Sequence, residues 1–121
     1  MNSTINNEIT STKIGRIAIQ LFAFLQQCRL NASVVPHSNK ILTYQFSIND
    51  ITNEGVPFGL SFDLSSEDVD EIEDTPKAIE NFCYSLTIKT GTALLTEKAT
   101  RLLQYAEETA GPKSRIILPG Q

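Results

Sequence analysis

Two consecutive segments that alternate apolar and polar residues constrain the fold of this chain more than any other feature. ILTYQFSI (residues 41–48) and VPFGLSFDL (residues 56–64) each place an apolar side chain at every second position, so each has one apolar face as an extended strand. The intervening NDITNEG suits a hairpin loop, in which Gly55 can take a positive φ. We therefore predict an antiparallel β-hairpin. Because Pro57 cannot donate a ladder hydrogen bond, its strand is expected at a sheet edge.

A helix is predicted before the hairpin. Residues 12–30, TKIGRIAIQLFAFLQQCRL, carry apolar side chains at three- and four-residue steps, the spacing of one helical face. The residues of that face are Ile14, Ile17, Ala18, Leu21, Leu25 and Cys28. A hairpin is at best marginally stable by itself in water, so we expect this face to cover it.

Two further helices are predicted after the hairpin. Thr75 followed by Pro76 is typical of a helix start, and Gly91 can end that helix in a left-handed conformation. The last helix is expected from about Thr92 or Thr96 to Ala110. One alternative is open, since YSLTIKT (residues 84–90) also alternates and is rich in β-branched residues, as a strand would be.

The order of these elements predicts an α+β fold in which helices pack on one face of a sheet. RIIL, residues 115–118, is expected as a short last strand or a docked tail. Residues 1–11 are predicted to be a flexible N-terminus, and residues 12–121 to form one domain, since 121 residues suit a single core.

The predicted elements carry more apolar surface than they can bury against one another. Ile19 and Leu30 fall on the back of the first helix, away from the face that covers the hairpin. One short strand is all that remains to complete the sheet. We therefore predict a homo-oligomer, most simply a dimer closed by helix packing or by pairing of sheet edges.

The negative charge is confined to one segment. Six carboxylates lie between Glu67 and Asp74, and residues 64–80 carry seven acids against one lysine, a net charge of −6. The remaining seven acids and nine basic residues sum to +2, which gives the total of −4. The spacing of a calcium loop fails because Asp68 stands where glycine is required. Ser65 and Asp68 instead fit a capping box, which favours a solvated helix start.

The same acidic segment is a candidate docking site for a basic protein. Carboxylates on a surface speed and orient encounter with a positively charged partner. The residues proposed for partner binding are Glu67, Asp68, Asp70 and Glu71, together with Ile19 and Leu30.

Several classes of function are disfavoured by the sequence. Nucleic-acid binding needs clustered basic residues, which this chain lacks. The longest apolar segment falls short of a membrane span, and the N-terminus has no secretory pattern, so we expect a cytoplasmic protein without a membrane partner. The single histidine, His37, has no triad partner or nucleophile elbow around it. Cys28 and Cys83 are too far apart for a metal knuckle and are expected as buried thiols. We predict no enzyme activity, cofactor or metal.

A second hypothesis places a ligand near the C-terminus. Lys113, Ser114 and Arg115 follow the last helix, and Arg101 lies within it. Guanidinium groups and backbone amides of this kind can hold a phosphate or a carboxylate. The alternative function is therefore a small-anion or nucleotide-ligand binding protein that uses this basic segment at an oligomer interface.

The sequence favours a non-enzymatic interaction protein: an assembly factor, a chaperone-like adaptor or an inhibitor. In size and acidity the chain resembles secretion-type chaperones, although only in outline. This resemblance implies a protein that works by presenting a surface to its partner. The expected contacts are the extra apolar face of the first helix, the hairpin edge and the acidic segment.

Overall fold

The computed structural model describes residues 12–110, which form two α-helices and three strands. In chain order the elements are α1 (Lys13–Gln27), β1 (Ala32–Pro36), β2 (Thr43–Ile51), β3 (Pro57–Ser65), a one-turn 3-10 helix (Glu67–Val69) and α2 (Pro76–Ala110). This combination confirms the α+β class. The predicted strand at residues 115–118 and the N-terminal residues 1–11 lie outside the described residues.

The three strands form one antiparallel sheet in the order β1-β2-β3. The predicted hairpin is confirmed: β2 pairs with β3, and Phe46 lies opposite Phe62. Gly55 in the connecting loop has a φ of 84°. Pro57 begins β3, which lies at an edge of the sheet as expected. The first strand was not predicted, because its five residues, ASVVP, end in a proline and are too short for a clear alternation.

The core lies between α1, the start of α2 and the inner sheet face. Thr12 caps α1, its Oγ1 accepting a hydrogen bond from the amide of Gly15 at 3.0 Å. The predicted inward face is confirmed except at its last position: the buried residues of α1 are Ile14, Gly15, Ile17, Ala18, Leu21 and Leu25. Phe46 and Phe62 stack in the sheet with ring centroids 5.1 Å apart. Cys28, expected to be buried, is instead exposed just beyond the end of the helix.

The two predicted C-terminal helices are one continuous helix, which corrects the expected number of helices. α2 contains 35 residues, and at 1.5 Å per residue it is about 52 Å long. Gly91 lies in its middle and does not end it. The start is as predicted, since the Oγ1 of Thr75 accepts a hydrogen bond from the amide of Ala78 at 3.3 Å.

The segment at residues 84–90 is helical, which resolves the open alternative against a strand. Its threonines are accommodated because their hydroxyls bond to the helix itself: Thr87 donates to the carbonyl of Cys83, and Thr90 donates to that of Leu86, both at 2.7 Å. Such bonds to the preceding turn satisfy a β-branched polar side chain within a helix.

Candidate interaction surface

One face of α2 carries large apolar side chains that nothing in the described part of the chain covers. Tyr84, Ile88 and Leu95 are 64%, 57% and 69% exposed. They are separated by four and seven residues, so they share a helical face. The small residues Gly91 and Ala99 and the half-buried Leu102 lie on the same face. We call these six residues the α2 stripe.

The α2 stripe is separate from the face of α2 that enters the core. The buried residues of the helix are Ile79, Cys83, Thr90 and Leu94. They follow a different set of three- and four-residue steps, so they point away from the stripe. The helix is thus apolar on two sides, although one core-facing side is sufficient for a helix on the surface of a single chain.

A groove lies at the N-terminal end of the stripe, between α1 and α2. It encloses about 480 Å³ and is lined by Phe24, Gln27, Cys28, Glu80, Asn81, Tyr84, Thr87 and Ile88. We call it the α1–α2 groove. Two stripe residues form part of its wall, so the groove and the stripe are one continuous apolar surface.

The C-terminal part of α2 extends beyond the core. Among the described residues of α2, none after Leu94 is buried. The Nζ of Lys98 lies 5.8 Å from the ring centroid of Phe58, and Arg101 lines a shallow depression beside the hairpin tip. Further along, Leu103 and Tyr105 are exposed. This end of the helix therefore carries apolar side chains without a core to receive them.

The acidic segment is attached to the start of α1. The Nζ of Lys13 donates hydrogen bonds to the carbonyls of Asp70 and Ile72 at 3.2 and 2.8 Å. Arg16 holds both carboxylate oxygens of Asp74, at 2.6 and 2.7 Å. These contacts fix the segment on the core, so its remaining carboxylates are displayed on an ordered surface.

The predicted capping box is present. The amide of Ser65 donates to Oδ2 of Asp68 at 2.8 Å, and the amide of Asp68 lies 3.4 Å from Oγ of Ser65. Val69 is buried beneath the 3-10 turn, while Glu67, Asp68, Asp70 and Glu71 are exposed. The described residues contain no group of three or more histidine, cysteine or acidic side chains that could hold a metal ion.

The two apolar residues predicted to bind a partner are placed differently from one another. Ile19 is exposed on α1, as expected. Leu30 is half-buried and packs against the core instead of facing water. Ile19 does not line the α1–α2 groove, so these residues and the α2 stripe do not form one site.

His37 is held in place by its neighbours. Its Nδ1 accepts a hydrogen bond from the amide of Asn39 at 3.0 Å, and its Nε2 faces Oδ2 of Asp63 at 3.7 Å. Lys40 also pairs with Asp63, at 3.3 Å. The hydrogen bond at Nδ1 and the nearby Asp63 hold the ring between the β1–β2 loop and β3.

Of the four residues of the alternative anion site, only Arg101 lies within the described part of the chain. Lys113, Ser114 and Arg115 lie outside the described residues. The Nε of Arg101 pairs with Oε1 of Glu97 at 2.8 Å. The depression that Arg101 lines also contains Asp50. Two nearby carboxylates oppose the binding of an anion.

The two cysteines are expected to differ in reactivity. Burial raises the pKa of the Cys83 thiol from 9.0 to about 11, which lowers its thiolate fraction about 100-fold. At low protein concentration, iodoacetamide should therefore modify Cys28 and spare Cys83 until the chain unfolds. Mass spectrometry of native and denatured samples would show one adduct and then two. Rapid double labelling of the native chain would contradict the burial of Cys83.

The same raised pKa gives a pH dependence of stability. The folded state holds the Cys83 proton more tightly than the unfolded state does. The contribution of the buried neutral thiol to the free energy of unfolding is therefore complete below about pH 9 and is lost as the pH rises toward 11.

The sequence predicts an apolar face on the last helix, at Leu95, Ala99, Leu102 and Ala106, but it does not predict that this face continues to Tyr84 or that Leu95 is exposed. The signal is present in the four- and seven-residue steps from Tyr84 to Leu102. It was obscured because residues 84–90 also alternate and because Gly91 suggested a helix end.

Within residues 12–110, neither helix combines the length and the apolarity needed to cross a bilayer. No family model, curated protein or solved structure matches this chain.

Proposed function

We propose that this chain is a non-enzymatic interaction protein, a chaperone-like adaptor, assembly factor or inhibitor, that works as a homodimer. The observation that supports this proposal is the α2 stripe, an apolar face without cover on the longest element of the fold. A second copy covers it best, because two identical stripes related by a two-fold axis are self-complementary.

The size of the hydrophobic contribution supports this dimer. Complete burial of a large apolar side chain contributes about 1.5–3 kcal/mol, so three from each copy contribute at most about 9–18 kcal/mol. Association costs about 4–15 kcal/mol in lost motion. This upper bound is of the same size as the cost, so the stripe can supply most of the required free energy, and the strength of the dimer depends on the further surface that the pair covers.

Helix packing is favoured over pairing of sheet edges. Two hydrogen bonds show which backbone groups of β3 point toward β2. The amide of Thr52 donates to the carbonyl of Val56, and the amide of Ser66 donates to the carbonyl of Leu42. By alternation, the free backbone groups of the β3 edge belong to Gly59, Ser61 and Asp63. A charged side chain at that edge, and the prolines that end β1 and begin β3, are devices that discourage edge pairing.

Sedimentation velocity tests the dimer. Between about 1 and 100 μM, a range that spans typical dissociation constants, we expect the sedimentation coefficient to rise from that of a monomer to that of a dimer. A single species with the mass of one chain at the highest concentration would remove the proposal.

The surface for a different protein is proposed at the acidic segment. It lies beside the β1–β2 loop, where Ile41 is 90% exposed and the adjacent Leu42 has a φ of 49°. Ile41, Leu42, Glu67 and Asp68 line the same depression of about 620 Å³. Apolar residues within a charged rim are typical of a protein interface, so a basic partner with an apolar contact residue fits this surface.

Neutralising the exposed acids should weaken this contact. In the variant Glu67→Gln, Asp70→Asn, Glu71→Gln, we expect slower association with the partner and a flatter dependence on salt, since electrostatic attraction mainly raises the association rate. Asp68 is kept because it caps the 3-10 turn. The partner would first be captured from native lysate, and its binding kinetics then measured at low and high salt. Identical kinetics for wild type and variant would contradict the role of the acids.

A further inference from the structure

We infer that each α1–α2 groove is filled by the C-terminal end of α2 from the second copy, so that the groove is a site shared between two chains. This inference rests on the dimer proposed above and specifies its direction: the two α2 helices pack antiparallel. The partner's Leu102, Tyr105 and Ala106 are the residues that enter the groove.

The direction follows from the positions of the groove and the projecting end. The groove lies at the start of the α2 stripe, beside Tyr84 and Ile88. The part of the helix without a core begins after Leu94. In a parallel pair the two projecting ends would pack only against each other, and neither would enter a groove. An antiparallel pair brings each projecting end to a groove and covers both surfaces at once.

A two-fold axis near Leu95 gives a consistent pairing. Residues equally distant from the axis face one another, so Ile88 lies opposite the partner's Leu102 and Tyr84 lies opposite the partner's Ala106. If the axis lies at residue 93 instead, Tyr84 faces the partner's Leu102. Either position brings the same end of the partner's helix to the groove.

The side-chain sizes suit close packing in this arrangement. With the axis at Leu95, the large Tyr84 meets a small alanine, and Gly91 meets the partner's Ala99. A Cβ added at Gly91 would meet no atom within 4 Å in the single chain, so space for a neighbouring helix is open there. Small residues at such points let two helices approach until the larger side chains interdigitate.

The chemistry of the groove fits this occupant. Phe24, Tyr84 and Ile88 provide apolar wall, and Gln27 and Asn81 provide amide groups at its margin. The partner's Tyr105 has an apolar ring with a hydroxyl that requires a hydrogen-bond partner when buried. The stripe itself carries no charged residue between Tyr84 and Leu102. The one acid that lines the groove, Glu80, is paired with Lys77 at 3.7 Å, so its charge has a partner when the groove is filled.

Cross-linking tests the arrangement, because Cys28 is a native thiol in the groove and Cys83 is buried. In the full-length variant Ala106→Cys, we expect a short bismaleimide reagent to join Cys28 of one copy to the introduced thiol of the other. The covalent dimer should be lost when Cys28→Ser is added. Thr100→Cys is the matched control, since its side chain is exposed but lies off the stripe, and it should give no covalent dimer above background.

The outcomes separate this inference from the dimer itself. If sedimentation shows a dimer but Ala106→Cys cross-links no better than Thr100→Cys, the groove inference is wrong and the proposed dimer stands. A covalent dimer that persists after Cys28→Ser would show that the two introduced thiols are adjacent, as in a parallel pair, and would also overturn the inference. A chain that sediments as a monomer removes both.

Discussion

Substitution Leu95→Glu is expected to convert the proposed dimer into a folded monomer. In the single chain Leu95 is exposed, so the change costs the monomer little stability. Close to the proposed two-fold axis, it removes two leucines from the interface and adds two carboxylates there. Loss of two buried leucines alone weakens association by about 3–6 kcal/mol, which is roughly a 100-fold or greater rise in the dissociation constant. Sedimentation velocity at matched concentrations measures this directly.

Thr96→Glu is the matched control for this prediction. It adds the same charge one residue along the helix, at an exposed position away from the α2 stripe. We expect it to leave the dimer intact, and circular dichroism should show both variants to be folded. Equal weakening by both variants would indicate a general charge effect. An unchanged dimer in Leu95→Glu would place the interface elsewhere.

The elements with local signals were predictable from the sequence. Thr12 and Thr75 cap their helices as hydroxyl residues usually do. The hairpin was predictable because apolar and polar residues alternate along both of its strands. Strand β1 was not predictable in this way, because its identity depends on pairing with β2, in which Val34 lies opposite Phe46. Five residues carry too little pattern to reveal such a long-range partner.

The continuity of α2 illustrates a different limit. Gly91 and the threonines around it weaken the local preference for helix, yet contacts on both sides hold the segment: Cys83 and Leu94 are buried in the core. Tertiary packing therefore overrides the local signal. The candidate site was hidden for the same reason, since the stripe exists only when residues 84–102 are read as one helix.

The two apolar faces of α2 have different roles. One face, through Ile79, Cys83 and Leu94, completes the core under the sheet. In the proposed function, the other face binds a second copy, and the acidic segment with Ile41, at the end of the strands away from the hairpin tip, binds a different protein. The proposed dimer would display two acidic surfaces on one assembly, which would raise the effective concentration for a partner with two basic segments.

Substitution Phe46→Ala is expected to cause the largest loss of stability of any change considered. Phe46 is fully buried in the central strand, lies opposite Val34 on one side and Phe62 on the other, and stacks on the Phe62 ring. Truncation of a buried phenylalanine costs about 3–5 kcal/mol, from lost transfer free energy and from the cavity left behind. The total stability of a domain of this kind is about 5–15 kcal/mol, so the variant should lose between a fifth and all of its stability.

Urea denaturation of wild type and variant at one protein concentration measures the effect, with concentration fixed because association stabilises the folded chain. Val35→Ala is the control: Val35 is the next residue of β1 after Val34, on the outer face of the same sheet, and is half exposed, so its truncation should cost less than about 1 kcal/mol. The contrast between the two variants tests which face of the sheet carries the core. If Val35→Ala were as damaging as Phe46→Ala, the outer face would itself be covered, and the β-sheet, not α2, would be the surface on which the second copy packs.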